Sequence, residues 1–567
     1  MTTRNRNGAA APDLDPTDDP RLSHAPEGPL SRPPAGSLPL PRLLGQMLLA
    51  ELRPAEHLKS AARMEEIRAL VRERGVGGFH LSGGDVFETP ALLASLQQVS
   101  PFPLLVAADF ESDLAPPIRG ITVFPSNLAV GATRSEDLAR LKGLVTAAEA
   151  RALGIHLLLG PVADCPLDPR NPAHDTRAFG EDPALVARLA VAFAQGCREK
   201  GVLACARHFP GMGDATSDTP LDLPTLHAAP DRLRAADLLP FSELIRTGVD
   251  AVLTGPLRVD AIDRRYPASL SPAVVTDLLR RELGFTGLAL ADVAPPGGLA
   301  GAFLPEEAPI LAAAAGNDAL LVPSRPGQAL AAMEGAVRSG RLPEAAIRAS
   351  AQRLLEIKSR LNLRASARPE VVERLVGTRD HLAAAQRVAD ASITLVKDAG
   401  LLPVLPHRYT PLIELRVADE GAPGNREVFG EELRRRFGIL TTLRVATGQD
   451  TTPALLRLKE TIRSKPKAVL VVGLFARAAN RGGNPLDPAL AAFLQSAMRA
   501  VPASVVVSFG SPHVLRQIPE APAFVCGYAD GEATQRAAGR VLCGDLAPAG
   551  KLPVTLTPEY RIGHGLT

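Results

Sequence analysis

The chain contains no tryptophan, and only four tyrosines occur in its 567 residues. That scarcity argues against a wide aromatic platform for stacking a ligand. A charge excess is missing too: 63 Lys+Arg face 61 Asp+Glu, a formal net charge of +2. Nothing in that balance favours nucleic acid or an anionic membrane surface as a partner. No run of about 18 apolar residues appears, so no membrane span is expected. Residues 1–37 hold no apolar core of the length a secretory signal needs. The five cysteines (Cys165, Cys197, Cys205, Cys526 and Cys543) are odd in number and form no CxxC. They read as free thiols of a reducing compartment, which makes the cytoplasm the expected location and a zinc site unexpected. No GxGxxG or Walker-type glycine pattern is present either, and no cofactor or metal is expected.

What is present is a globular chain, 46% hydrophobic and 22% charged, too long for one ordinary core. Residues 1–37 are charged, rich in proline and without hydrophobic periodicity, and are expected to be disordered. From Leu38 to Asn362 short apolar runs alternate with amphipathic helical stretches. The runs are Val76–Leu81, Pro103–Ala108, Ile155–Gly160, Val202–Ala206, Ala251–Thr254, Gly287–Ala291 and Ala319–Val322. Among the helical stretches are Ser135–Leu153, Pro183–Lys200, Pro272–Leu283 and Pro343–Ser359. Seven such runs predict a (β/α)8 TIM-type barrel, with an eighth strand near Leu44–Leu49, a segment that reads equally as helix. A doubly wound open sheet is the alternative on this pattern alone.

Residues 363–391 read as a helical linker. Residues 392–567 begin a second series, with strands expected at Ser392–Val396, Pro411–Leu415, Ala468–Leu474, Ser504–Phe509 and Pro522–Cys526. Five strands alternating with helices predict a smaller three-layer α/β sandwich domain. Its Gly510-Ser511-Pro512-His513 lies just past a strand end, where an α/β fold places either a ligand loop or an ordinary turn.

The stretch with the densest chemistry is Arg207-His208-Phe209-Pro210-Gly211-Met212-Gly213-Asp214, continuing to Asp218-Thr219-Pro220. It opens at the carboxyl end of a strand, where α/β barrels assemble their sites. It resembles the "K-H-F-P-G-H-G-D" segment of glycoside hydrolase family 3, in the branch of bacterial β-N-acetylglucosaminidases. Other blocks are similar to that branch, in order: Gly160-Pro161-Val162-Ala163-Asp164, Arg177-Ala178-Phe179-Gly180-Glu181-Asp182-Pro183, Pro267-Ala268-Ser269-Leu270-Ser271, Glu282-Leu283-Gly284-Phe285-Thr286-Gly287 and Ala291-Asp292-Val293. The closing Gly550-Lys551-Leu552-Pro553-Val554 resembles the end of the two-domain members.

The resemblance implies a retaining glycosidase for terminal β-linked N-acetylglucosamine, such as that of cell-wall fragments, with Asp292 as nucleophile. It implies a sugar-holding set of Asp109, Asp164, Arg177, Arg207 and His208. It also assigns Asp218 to the aspartate of an Asp–Ser–His acid/base unit. The histidine of that unit falls on Pro220, which has no proton to give. Two further family histidines fall on Met212 and Pro256. Asp218, Asp214, Asp222 and His174 are the groups that could protonate a leaving oxygen instead. A relative that binds sugar without efficient turnover is the alternative.

Overall fold

In a computed structural model of the chain, the described residues are 37–110, 118–168, 171, 175–213, 215, 223–293, 298–322, 324–361, 363, 369–405, 411–419, 427–437, 440–475 and 486–567. Of the segment 1–37 expected to be disordered, residues 1–36 lie outside them. Eight parallel strands close into a barrel: β1 (Leu48–Leu52), β2 (Gly78–Leu81), β3 (Leu105–Ala108), β4 (Leu157–Leu158), β5 (Leu203–Phe209), β6 (Ala251–Thr254), β7 (Leu288–Asp292) and β8 (Ala319–Val322). Closure comes from β8 pairing with β1 in parallel register, Leu48 opposite Leu320 and Ala50 opposite Val322.

The strands are short and apolar because both of their faces are covered. Leu105–Ala108, Ala251–Thr254 and Ala319–Val322 are buried at every position. Alternate residues point inward, so Leu49, Leu105, Leu157, Leu253 and Leu290 fill the lumen as a packed core. Leu354 of the helix Glu344–Arg360 joins that cluster. Gly78 is required where β2 meets β3, since a Cβ there would stand 1.8 Å from the Leu105 carbonyl oxygen.

Each run expected as a strand in this half overlaps one, though β5 runs on to Phe209 and β7 to Asp292. The segment Leu44–Leu49 divides: Leu40–Gln46 is a helix with proline in its first turn, and the strand occupies Leu48–Leu52. The long helices start where side chains cap them. Ser135 accepts from the Leu138 N–H ahead of Glu136–Ala152, and Asp182 accepts from the Ala184 N–H ahead of Pro183–Glu199.

The second sheet has six strands, β9 (Thr394–Asp398), β10 (Leu412–Ala418), β11 (Leu440–Ala446), β12 (Val469–Phe475), β13 (Ala503–Ser508) and β14 (Ala523–Cys526), in the order β9-β14-β13-β12-β10-β11. All neighbours are parallel except β9 and β14. Helices cover both faces, Val428–Phe437 with Glu532–Cys543 on one side and Thr452–Ser464 with Pro488–Arg499 on the other. The strand that the sequence pattern does not reveal is β11. It is an edge strand, and Leu440, Thr441, Thr442 and Arg444 are not buried, so it lacks the apolar run of a central strand.

Two helices, Pro369–Leu375 and Arg379–Ser392, connect the halves. The buried Glu149 carboxylate holds the connector, accepting from the Gly377 N–H (2.9 Å) and from His381 Nδ1 (2.7 Å). It also accepts from the Thr122 N–H (2.8 Å) and hydroxyl (2.7 Å). Among the described residues, no helix is long and apolar enough to cross a membrane.

Candidate active site

The polar residues gather at one end of the barrel, the carboxyl ends of its strands. Asp109 follows β3, Arg207 and His208 lie within β5, and Asp292 is the last residue of β7. Asp164 lies beyond β4, in a segment that continues the sheet. There Val162 bridges Arg207, and the Ala163 N–H donates to the Arg207 carbonyl at 2.7 Å. The β5–β6 register then shifts, from Arg207 opposite Leu253 to Phe209 opposite Thr254. The extra residue is His208, and a bulge of this kind re-aims a side chain at a barrel rim.

Two linked sets result. In the first, the Arg207 guanidinium pairs with Asp109 Oδ1, and His80 Nε2 donates to Asp109 Oδ2 at 2.8 Å. Burial would push the Asp109 carboxyl up, but Arg207 and His80 outweigh it and hold the group far below the usual carboxylate range. Burial likewise opposes the charged form of His80. The hydrogen bond to Asp109, its charge and that of Asp292 prevail and raise the imidazole above its ordinary 6.5. Asp292 is therefore in the same field as the Asp109 set and is partly open to solvent.

In the second set, the Asp164 carboxylate has no exposure and receives the peptide that follows Arg207. The His208 N–H lies 3.2 Å from both oxygens, His208 Nδ1 donates to Oδ2 at 2.8 Å, and the Met212 N–H donates to Oδ1 at 3.1 Å. The loop from His208 to Met212 is thus wrapped on one buried carboxylate, while Asn171 Nδ2 donates to the Met212 carbonyl at 2.9 Å. Gly211 (φ +117°) and Gly213 allow this loop to lie against Asp237; a Cβ on Gly213 would stand 2.3 Å from Asp237 Oδ1.

Arg177 is anchored differently. Its carbonyl accepts from Asn127 Nδ2 at 2.8 Å, and Asn127 is itself held by the buried Lys142 at 2.8 Å. The segment after it docks on the second half of the chain. Thr555 donates its N–H (2.9 Å) and hydroxyl (2.6 Å) to Glu181, and the Glu181 N–H donates to the Pro553 carbonyl at 3.1 Å. Beside this seam, Leu167, Glu181, Asp182, Arg516, Thr555 and Ile562 line a cavity of 510 Å³. His513 belongs to the turn Pro512–Arg516, whose Arg516 lines that cavity. Burial and the Arg516 charge lower its imidazole to about 3, so it is neutral and no proton donor near pH 7.

The structure therefore brings together Asp109, Arg207 and His80, and joins Asp164 to His208 through the adjacent peptide. Asp218, with Asp214, Asp222, His174 and Pro220, lies outside the described residues. Met212 is 2% exposed and packs in the hydrophobic core around the barrel, so its side chain has become packing. Pro256 is buried too. Among the described residues, no group of three or more His, Cys, Asp or Glu side chains could hold a metal ion.

Sequence reasoning missed His80. The signal was there: in Gly78-Phe79-His80-Leu81 one polar residue alternates with apolar neighbours that face the outer core, which turns it toward the lumen.

Residues 43–357 match the model of the glycosyl hydrolase family 3 N terminal domain. A β-N-acetylglucosaminidase/β-glucosidase of Cellulomonas fimi is 30% identical over 372 residues, 63% of this chain and 66% of that protein. A β-hexosaminidase A of Pseudoalteromonas piscicida is 28% identical over 407 residues, 64% of this chain and 68% of that one. These matches thus span about two thirds of each curated relative. Among solved structures, a family 3 β-N-acetylglucosaminidase from Paenibacillus sp. str. FPU-7 superposes with a TM-score of 0.80 at 28% identity, covering 92% of this chain and 99% of that one.

Proposed function

The chain belongs to glycosyl hydrolase family 3, and from that premise we propose that it hydrolyses terminal β-linked N-acetylglucosaminides, or related β-glycosides, with retention. Asp292 is the nucleophile of this proposal. The observation that carries it is the position of this carboxylate at the end of β7, in one electrostatic field with Asp109, His80 and Arg207. A retaining mechanism needs a carboxylate at the anomeric carbon and an acid at the leaving oxygen. Attack by Asp292 on C1 expels the leaving oxygen and forms a glycosyl ester. Water then cleaves the ester and restores the carboxylate.

Asp109, Asp164, Arg177, Arg207 and His208 form the sugar-holding set of this reading. Charged donors and acceptors at strand ends suit vicinal hydroxyls. The similarity to proteins named β-hexosaminidase and β-N-acetylglucosaminidase supports the choice of sugar. Cell-wall fragments are the proposed source. The five thiols are unpaired, which supports a reducing compartment such as the cytoplasm. The test is release of aryl alcohol from aryl β-N-acetylglucosaminide and aryl β-glucoside, by wild type and by Asp292→Ala. Equal background rates in the two proteins would remove the enzyme reading.

A second reading, a sugar-binding relative with impaired turnover, is favoured by Pro220, together with Met212 and Pro256 at two further family histidine positions. Asp218 is kept at the orienting position of the acid/base unit, but the imidazole it would orient is absent. General acid assistance is worth roughly 10²–10⁴-fold, so its absence slows cleavage most where the leaving group is poor. Pro220→His should therefore raise kcat on an alkyl or saccharide β-glycoside by up to about 10²-fold and change kcat on a nitrophenyl glycoside little. Met212 is best left unaltered in this variant, because its side chain belongs to the core. Unchanged rates on both substrates would mean that the proton comes from another group.

A further inference from the structure

On the glycosidase reading above, we infer that His80 determines specificity in the sugar pocket: its Nδ1 takes a hydroxyl of the bound sugar while its Nε2 holds Asp109. His80 stands in register beside Glu51 of β1 and Ala107 of β3, with Phe79 and Leu81 on either side packed into the outer core. Its side chain is 22% exposed, so solvent reaches the ring. One ring nitrogen is used, by Asp109 at 2.8 Å. Among the described residues, Nδ1 has no hydrogen-bond partner, and it is not sealed from solvent.

The charges around the ring decide what Nδ1 offers. Asp109 faces it from β3, Arg207 from β5 and Asp292 from β7. Glu51, on the neighbouring β1, is turned to Arg53 at 2.8 Å and to the Ser82 hydroxyl at 2.9 Å. The two carboxylates outweigh both burial and the guanidinium and favour the imidazolium. In that form Nδ1–H is a donor, and a hydroxyl that accepts from it can donate in turn to a carboxylate. A pocket built this way rejects a sugar lacking the hydroxyl, because charged groups are then left unpaired. The binding form is the protonated one, so kcat/KM should fall as pH rises through a pKa above 6.5.

The alternative is that His80 only braces Asp109, and two substitutions separate the cases. His80→Gln keeps an N–H near Nε2, and with it the bond to Asp109, but has nothing at Nδ1. His80→Asn has the reverse. Steady-state rates on the aryl glycoside that wild type hydrolyses, taken between about pH 5 and pH 9, give the readout. For His80→Gln, KM should rise roughly tenfold to hundredfold with kcat nearly unchanged, and the alkaline fall in kcat/KM should disappear. A wild-type KM and pH profile in His80→Gln would overturn the inference and leave the glycosidase reading standing. If that variant does not fold, NMR titration of the His80 ring in wild type decides instead. Binding of the product sugar should move its pKa, and an unmoved ring overturns the inference. Wild type that neither hydrolyses nor binds the sugars removes the glycosidase reading itself, and this inference with it.

Discussion

Asp292→Ala should cleave an aryl β-N-acetylglucosaminide at about one-thousandth of the wild-type rate or less, the loss expected when a covalent nucleophile is removed. The substitution opens a small space at the end of β7 beside a strand that is otherwise buried through Ala291. It removes the only group of the proposed mechanism that bonds to carbon. A small anion such as azide should enter that space and restore release of the aryl alcohol, giving a glycosyl azide of inverted configuration. Binding of the sugar should persist, because Asp109, Arg207 and the Asp164–His208 set are untouched. The measurement is aryl alcohol release with and without azide, alongside titration with the free sugar. Loss of binding together with activity would mean that Asp292 holds the pocket rather than attacks from it.

Asp164→Asn should be the more damaging change to the molecule as a whole. Its two carboxylate oxygens receive the His208 N–H, His208 Nδ1 and the Met212 N–H with no solvent to replace them. An amide fills the same volume but keeps one acceptor of the two: its NH2 faces the His208 and Met212 N–H groups in one placement, and in the other faces His208 Nδ1, which must then give up its proton to accept. One buried pair of facing donors costs about 2–4 kcal/mol in total once the lost charge is included. The loop from His208 to Met212 would lose its anchor, and a pocket displaced by about 1 Å forfeits roughly 10²-fold in rate. Denaturant unfolding should show the stability loss and kcat/KM the rate loss. Full stability with low activity would place the role of Asp164 in chemistry rather than in architecture.

The barrel is legible in the sequence because its strands are buried on both faces and so appear as continuous apolar runs; Leu105–Ala108 and Ala319–Val322 have no polar residue to blur the pattern. The edge strand β11 is not legible, since its half-buried threonines and exposed Arg444 read as a loop between two helices. The candidate site divides in the same way. Asp164, Arg207, His208 and Asp292 stand in motifs, and motifs survive translation from chain to space. His80 has no motif, and a lone histidine in an apolar strand reads as core until strand register shows what faces it. Met212 is the opposite case. In the motif it counts as a lost polar group, whereas its burial shows a loop whose geometry is kept by backbone bonds to Asp164 and by apolar packing.

The five cysteines lend themselves to a different use. Every one is buried, and burial pushes each thiol up, so alkylating reagents meet neither an accessible nor an ionised sulfur in the native fold. Cys165, Cys197 and Cys205 belong to the barrel half, Cys526 and Cys543 to the second sheet and its covering helix. Each half thus has its own silent clock. The rate at which a given cysteine becomes modified under native conditions times the opening of the layer that encloses it, and the order in which the two groups react tells which half of the chain gives way first.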